Sequence, residues 1–292
     1  MLRVTGPQVG VLMPDWPVPP RVRAVFTLRA GGVSQGPWAA LNLGAHVSDD
    51  PAAVAENRRR VRERLGLPAE PYWLSQVHGV AVARVDEISA AGGPASDAVR
   101  ARHPGVAASA AAPSPVVADA AITRQAGRVL AIQVADCLPV LFAARDGSVV
   151  AGAHAGWRGL VAGVLEATVA AMAAEGVAAR DLMAWMGPAI GPDRFEVGDE
   201  VRDAFVRGLP GAGGPGAAGD PGATAAFTAS RPGHWLCDLR QLAVRRLAAV
   251  GVHAVRGADR GREWCTHTNQ ERFFSHRRDG QCGRMAALVW ID

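Results

Sequence analysis

Apolar and polar positions alternate through residues 22–28, which predicts a strand. The run RAGGVSQG at 29–36 then predicts a turn-rich loop. Asp49, Asp50 and Pro51 mark a helix start, because proline is well tolerated at the first helical position. Over residues 53–65 the helical spacing places Val54, Val61 and Leu65 on an inward face. Residues 73–78 and 80–85 read as a bent or paired strand segment. Residues 116–122 open a second ordered stretch, and 128–135 and 140–144 are short, apolar, β-branched runs that predict buried strands. Asp146-Gly147 is a hairpin signal, with 148–154 as the return strand. Residues 160–175 predict a helix ended by Gly176, and Leu182–Met186 a strand entering the turn GPAIGP at 187–192. Residues 235–250 read as a helix whose apolar positions are Leu236, Leu239, Leu242, Val244 and Leu247. The chain closes strand-like through Phe273-Phe274 and Met285–Ile291.

Two stretches break this pattern. Residues 87–115 are rich in alanine, glycine, proline and serine, and 208–224 are a glycine-proline run with nothing to bury; both read as exposed loops. Residues 1–21 form an N-terminal lead, proline-rich at 13–20. Strands bunch between helices without strict βαβ alternation. The expectation is one α/β (or α+β) domain over residues 22–292 that carries both loops.

Composition narrows the classes. The chain has 292 residues, 49% hydrophobic and 20% charged, which is globular usage. Its longest apolar stretch, 149–172, is interrupted by His154, Arg158 and Glu166, so no membrane span is expected. The first residues lack an apolar signal core, which predicts a cytoplasmic protein. Four cysteines in this length do not make a disulfide framework. The net charge of +4 comes entirely from arginine, since the chain has no lysine. Arg58-Arg59-Arg60 lies on the predicted helix and reads as its solvated face. No basic-aromatic interleaving accompanies it, so a nucleic-acid partner is not expected.

Candidate chemistry gathers at element ends. His78 precedes Gly79, Cys137 lies where a predicted strand meets Pro139, and His154 ends a strand before the 160–175 helix. Two histidines and a cysteine give a zinc ion three ligands and leave a fourth position for water or substrate, a catalytic pattern. Their spacing matches no short-range metal motif. A nucleophilic Cys137–His154 pair would use the same residues without metal. Asp136 is either a strand-end hydrogen-bonding group or a carboxylate that orients a ligand or handles a proton. Arg29, Arg158, Arg277 and Arg278 stand beside glycine turns, where guanidinium groups can grip phosphate or carboxylate. Cys237, Cys265 and Cys282 have no ligand-like spacing.

The motifs TLRAGGVSQG (27–36), LNLG (41–44), QVHG (76–79), ADAAIT (118–123), DCLP (136–139), HAGWRG (154–159), GPAIG (187–191) and FSHRRDG (274–280) occur together and in order. In this the chain resembles the bacterial YfiH-like laccase-domain family, formerly called multicopper polyphenol oxidases. The resemblance covers roughly residues 22–291. It implies a single-domain α/β sandwich of mixed sheets flanked by helices, of a kind once classed with cysteine hydrolases. It implies zinc, in preference to copper, on His78, Cys137 and His154. It further implies phosphorolysis of adenosine, inosine, guanosine and methylthioadenosine, with adenosine deamination, by a monomer or homodimer. Within the matching motifs, Asp136 joins the three ligands as a catalytic residue, and Arg29, Asn42, Gln76, Arg158 and Arg278 are the expected nucleoside and phosphate contacts. The chain departs from the family in its 87–115 insertion, in His276 where tyrosine is common, and in Cys282. Two other classes attach to the same residues: a cysteine-dependent amidase acting on cell-wall precursor peptides, and a copper polyphenol oxidase. Eight histidines without His-x-His pairs argue against the copper oxidase.

Overall fold

The computed structural model describes residues 9–88, 116–209, 219–257 and 261–292. The strands, in chain order, are β1 (Val11–Leu12), β2 (Val22–Thr27), β3 (Tyr72–Trp73), β4 (Val82–Arg84), β5 (Ala120–Thr123), β6 (Leu130–Val134) and β7 (Leu138–Ala144). They continue as β8 (Val150–Ala155), β9 (Leu182–Met186), β10 (Glu196–Gly198), β11 (Phe227–Arg231), β12 (His234–Cys237), β13 (Ala254–Gly257) and β14 (Met285–Ile291). Among the described residues they form a five-stranded sheet, β1-β2-β14-β6-β3, and a six-stranded sheet, β13-β9-β7-β8-β5-β4, with a small β10-β12-β11 sheet. Both large sheets are mixed: β3 runs parallel to β6, β4 to β5 and β13 to β9, and the remaining pairs are antiparallel.

Side-chain period explains the layers. Along β14, Met285, Ala287, Val289 and Ile291 point to one core, and Ala286, Leu288 and Trp290 to another. The first core also takes Leu130 and Ile132 from β6, Leu141 and Ala143 from β7, and Val150 from β8, so the two large sheets stack face to face. The outer face of the five-stranded sheet is covered by α1 (Pro51–Leu65) through Val61. The outer face of the six-stranded sheet is covered by α2 (Trp157–Ala162), α3 (Val164–Ala174), α4 (Asp199–Arg207) and α5 (Leu239–Ala249). Strands buried on both faces read as continuous apolar runs, which is why β6, β7 and β9 were legible.

Local chemistry sets the boundaries. Asp50 caps α1 by accepting from Ala52 N at 2.9 Å, and Gly66 ends it with φ +58°. The helix expected over 160–175 is two helices, because Gly163 sits between them at φ +101° and stops the first. The helix expected over 235–250 begins only at Leu239; its first residues are β12, and Asp238 caps the turn by accepting from Arg240 N and Gln241 N. Val244, one of the apolar positions of that segment, is exposed. Phe273 and Phe274 are fully buried but lie outside any strand, with Phe273 edge-on to Phe26 at 6.1 Å. The N-terminal lead is not featureless: β1 pairs with the far end of β2. Residues 89–115 and 210–218 of the two expected loops lie outside the described residues. The end of the second loop is ordered, as a 3-10 turn (Pro221–Ala226) that buries Ala223 and Ala226 while Asp220 pairs with Arg245.

Candidate metal centre

The centre lies where the ends of β6, β7 and β8 meet the loop between β3 and β4. His78 is on that loop, Cys137 joins β6 to β7, and His154 is the penultimate residue of β8, paired in register with Pro139. The metal-ligating atoms of the three side chains all lie within 4.8 Å of one another. Cys137 Sγ is 3.7 Å from His78 Nε2, and the two imidazole rings stand 4.7 Å apart at 69°. His78 is exposed, Cys137 half-buried and His154 buried, so the cluster opens to solvent on the His78 side.

Two backbone irregularities produce this convergence. His78 has φ +62° and Asp136 has φ +88°, in the left-handed region that non-glycine residues seldom occupy. Each costs on the order of 1–3 kcal/mol and persists where the surroundings over-determine it. At His78 the restraint is Asp119, fully buried just before β5. Its carboxylate accepts from the amides of Val77 (3.1 Å), His78 (2.9 Å) and Gly79 (2.7 Å) and lies 2.9 Å from His154 Nδ1. At Asp136 the carboxylate accepts from Thr266 Oγ1 at 2.5 Å and Arg277 N at 2.7 Å, and its carbonyl accepts from Ile190 N.

Glycine fixes the closest approach. A Cβ at Gly156 would lie 2.7 Å from His78 Cδ2 and 3.0 Å from Cys137 Sγ, so no larger residue fits beneath the cluster. A Cβ at Gly159 would meet Gly79 O at 3.0 Å. The HAGWRG motif therefore brings one ligand and clears space for the other two.

The electrostatics favour a thiolate. Burial opposes ionisation of Cys137, but the charge of His154 and hydrogen bonds from His154 and His78 outweigh it and bring the thiol to about 6. Burial likewise opposes protonation of His154, and the Cys137 charge with the Asp119 hydrogen bond overrides it, raising the imidazole to about 9. Burial would raise Asp119 as well, yet its bonds from His154 and the amides of Gly79 and Val77 hold it below the usual carboxylate range.

These residues fit a metal ion. Around tetrahedral zinc, with bonds of about 2.0–2.1 Å to nitrogen and about 2.3 Å to sulfur, donors sit roughly 3.3–3.7 Å apart. The Sγ–Nε2 separation already matches. Asp119 on His154 Nδ1 is the outer carboxylate that metal-bound histidines commonly carry. Two imidazoles and a thiolate serve zinc and copper alike.

The expected substrate contacts fall into two groups. Arg29 spends its guanidinium on Ala39 O and Gln270 O, and Arg278 on the carbonyls of Thr266, His267 and Phe273 and on Asp279. Asn42 is fully buried, bonded to Gly44, Arg284 N and Asp49, and Gln76 exchanges two bonds with the Gln133 backbone. Arg158 differs: it is exposed, lies 4.4 Å over the Trp157 ring, and among the described residues has no hydrogen-bond or ion-pair partner. Two further histidines were not singled out from sequence. Burial first, then Arg284, Arg58 and His154, lowers His46; burial first, then Arg194, lowers His267. Asp119 and Gly156 were also missed as individual residues. A lone acid entering an apolar strand is a signal for the first, since a buried charge needs partners.

Fold and donor set together define an α/β sandwich protein with a candidate three-ligand metal centre. The chain belongs to the multi-copper polyphenol oxidoreductase laccase family, whose profile matches residues 23–292. It is 48% identical over 282 residues to a purine nucleoside phosphorylase of Pseudomonas aeruginosa, covering 96% of this chain and 98% of that protein. It is 44% identical over 281 residues to the purine nucleoside phosphorylase YfiH of Escherichia coli, covering 96% and 98%. Among solved structures it is similar to NMB0706 of Neisseria meningitidis, with TM-score 0.78, 41% identity and coverage of 97% and 99%. It is also similar to YlmD of Geobacillus stearothermophilus, with TM-score 0.74, 32% identity and coverage of 93% and 92%.

Proposed function

We propose that this chain is a zinc-dependent purine nucleoside phosphorylase that also deaminates adenosine, working in the cytoplasm as one catalytic domain over residues 22–292. Its substrates in this reading are adenosine, inosine, guanosine and methylthioadenosine, with inorganic phosphate, and it acts as a monomer or homodimer. The observation that carries the reading is the His78–Cys137–His154 donor cluster, set in a chain whose relatives at 48% and 44% identity are named purine nucleoside phosphorylases. No helix among the described residues is long and apolar enough to cross a membrane.

Zinc held by these three side chains supplies a Lewis acid and lowers the pKa of bound water. The remaining roles belong to the protein. Asp119 orients the His154 imidazole, and the Cys137 thiolate is ready as a ligand at neutral pH. In this reading Arg158, exposed over the Trp157 ring and without a hydrogen-bond or ion-pair partner among the described residues, takes the phosphate dianion. Hydrogen phosphate attacks the ribose anomeric carbon as the bond to the purine nitrogen breaks, and the proton that hydrogen phosphate loses on becoming the ester balances the one the departing base takes up at that nitrogen. Asp136 accepts from Thr266 Oγ1 and Arg277 N, one bond to each oxygen, and in this reading its remaining lone pairs make it the proton handler.

A second reading has an observation of its own. A thiolate at about 6 beside a protonated imidazole is the equipment of a metal-independent cysteine amidase acting on cell-wall precursor peptides. Incubation with adenosine, with and without phosphate, separates the readings. Adenine and ribose 1-phosphate formed only with phosphate support phosphorolysis, and inosine with ammonia supports deamination. Neither product, from protein shown to hold stoichiometric zinc, contradicts the proposal.

A further inference from the structure

One buried carboxylate is bonded to the backbone of one histidine of the centre and to the imidazole of the other. Asp119 Oδ1 accepts from His78 N and faces His154 Nδ1, each at 2.9 Å, while Oδ2 accepts from Val77 N at 3.1 Å and Gly79 N at 2.7 Å. Its own backbone is tied at both ends: its N–H donates to Ala81 O at 3.1 Å, and its carbonyl accepts from His154 N at 2.7 Å. Asp119 is thus joined to the loop of one ligand and to the strand of another, and it contacts no solvent.

We infer that Asp119 is the positioning residue of the centre, setting the His154 tautomer and the left-handed backbone at His78 together. A carboxylate has only acceptors to offer. The proton shared with His154 therefore sits on Nδ1, and Nε2 keeps the lone pair a metal needs. The three amide bonds hold residues 77–79 in the tight turn that aims His78 Nε2 at Cys137. The inference rests on the zinc reading above.

Asparagine exposes this double duty, because it has one acceptor edge and one donor edge. With its oxygen toward Val77 and Gly79, its NH2 group confronts His78 N–H and donates to His154 Nδ1, so the imidazole proton moves to Nε2. With the amide flipped, NH2 opposes the Val77 and Gly79 amides and the turn loosens. Either orientation removes one imidazole from the ligand set.

The test is zinc affinity by chelator competition for the wild type and Asp119→Asn, with melting of both metal-free proteins and visible spectra of the cobalt-substituted forms. The expected result is a loss of roughly 10- to 100-fold in zinc affinity, with an altered cobalt spectrum, in a variant whose metal-free form still melts cooperatively. A variant that binds zinc as tightly as wild type with an unchanged spectrum overturns the inference alone. A wild type that binds no zinc overturns the zinc reading and this inference with it. Should Asp119→Asn fail to fold, long-range 1H–15N correlation on the zinc-bound wild type decides. A proton on His154 Nδ1 with none on Nε2 is the expected pattern, and the reverse pattern overturns it.

Discussion

Gly156 has room for a hydrogen and nothing more. Its φ of −64° suits any residue, so the constraint is purely steric. Gly156→Ala puts a methyl 2.7 Å from His78 Cδ2 and 3.0 Å from Cys137 Sγ. The expected outcome is at least a tenfold weaker zinc affinity by chelator competition, because the ligands must part to admit it. The stability of the metal-free protein is expected to fall by only about 1–3 kcal/mol. Cys137 supplies a second residue-scale prediction. A thiolate fraction rises as pH passes upward through the thiol pKa, and Cys137 is held near about 6 against about 8.5 for a free thiol. Alkylation of the metal-free protein by iodoacetamide should therefore already be near its plateau at pH 7.5, with an apparent midpoint near about 6. Bound zinc should suppress it. Cys237, Cys265 and Cys282 are buried and should stay unlabelled in the native state. At this scale His78, Cys137 and His154 were legible by residue type and by their places at element ends. Asp119 was not, because a carboxylate's role depends on which amides fold toward it. Asn42 shows the converse: its motif marked it as a contact, and its amide is taken up by Gly44, Arg284 and Asp49.

Elements were legible where burial on two faces left an unbroken apolar run, as in β6, β7, β9 and β14. They were less so where one pattern admits two periods. Residues 235–250 carry apolar positions compatible with a continuous helix, yet Asp238 caps a helix that starts at Leu239 and leaves His234–Cys237 to pair with β10 and β11. The cap was present in the sequence, but apolar spacing outweighed it. Gly163 is the parallel case: an isolated glycine in an apolar helical run reads as tolerated, whereas here φ is +101° and two helices meet. Alanine in that left-handed conformation costs roughly 1–2 kcal/mol. Gly163→Ala is expected to lower the melting temperature by a few degrees while leaving zinc affinity unchanged. An unchanged melting temperature would show that the chain can run through this point as one helix.

At the scale of the whole molecule, the centre exists because two sheets stack closely enough for their strand ends to meet. Strand β8 has small side chains on both faces, and a Cβ at Gly152 would lie 2.8 Å from Ile132 Cγ1 on the opposing sheet. Gly152→Ala should therefore act as overpacking, at a cost of about 1–3 kcal/mol, read by calorimetry. Sheet pairing was the least legible layer. β14 pairs with both β2 and β6, contacts between the two ends and the middle of the chain that no local pattern encodes. The same non-local geometry brings His78 to Cys137 across 59 residues. The fold class and the motif set could be read from the chain, but the order of strands that makes one centre of scattered residues could not.

In the proposed function, His78, Cys137 and His154 hold a single zinc ion. X-ray absorption at the zinc edge, on protein purified without added metal and quantified for metal content, addresses it directly. The expected result is one zinc per chain, with two nitrogen donors at about 2.0–2.1 Å, one sulfur at about 2.3 Å and a lighter atom in the fourth position, lost in His154→Ala. Zinc-free protein, or zinc whose ligand shell lacks sulfur, contradicts it.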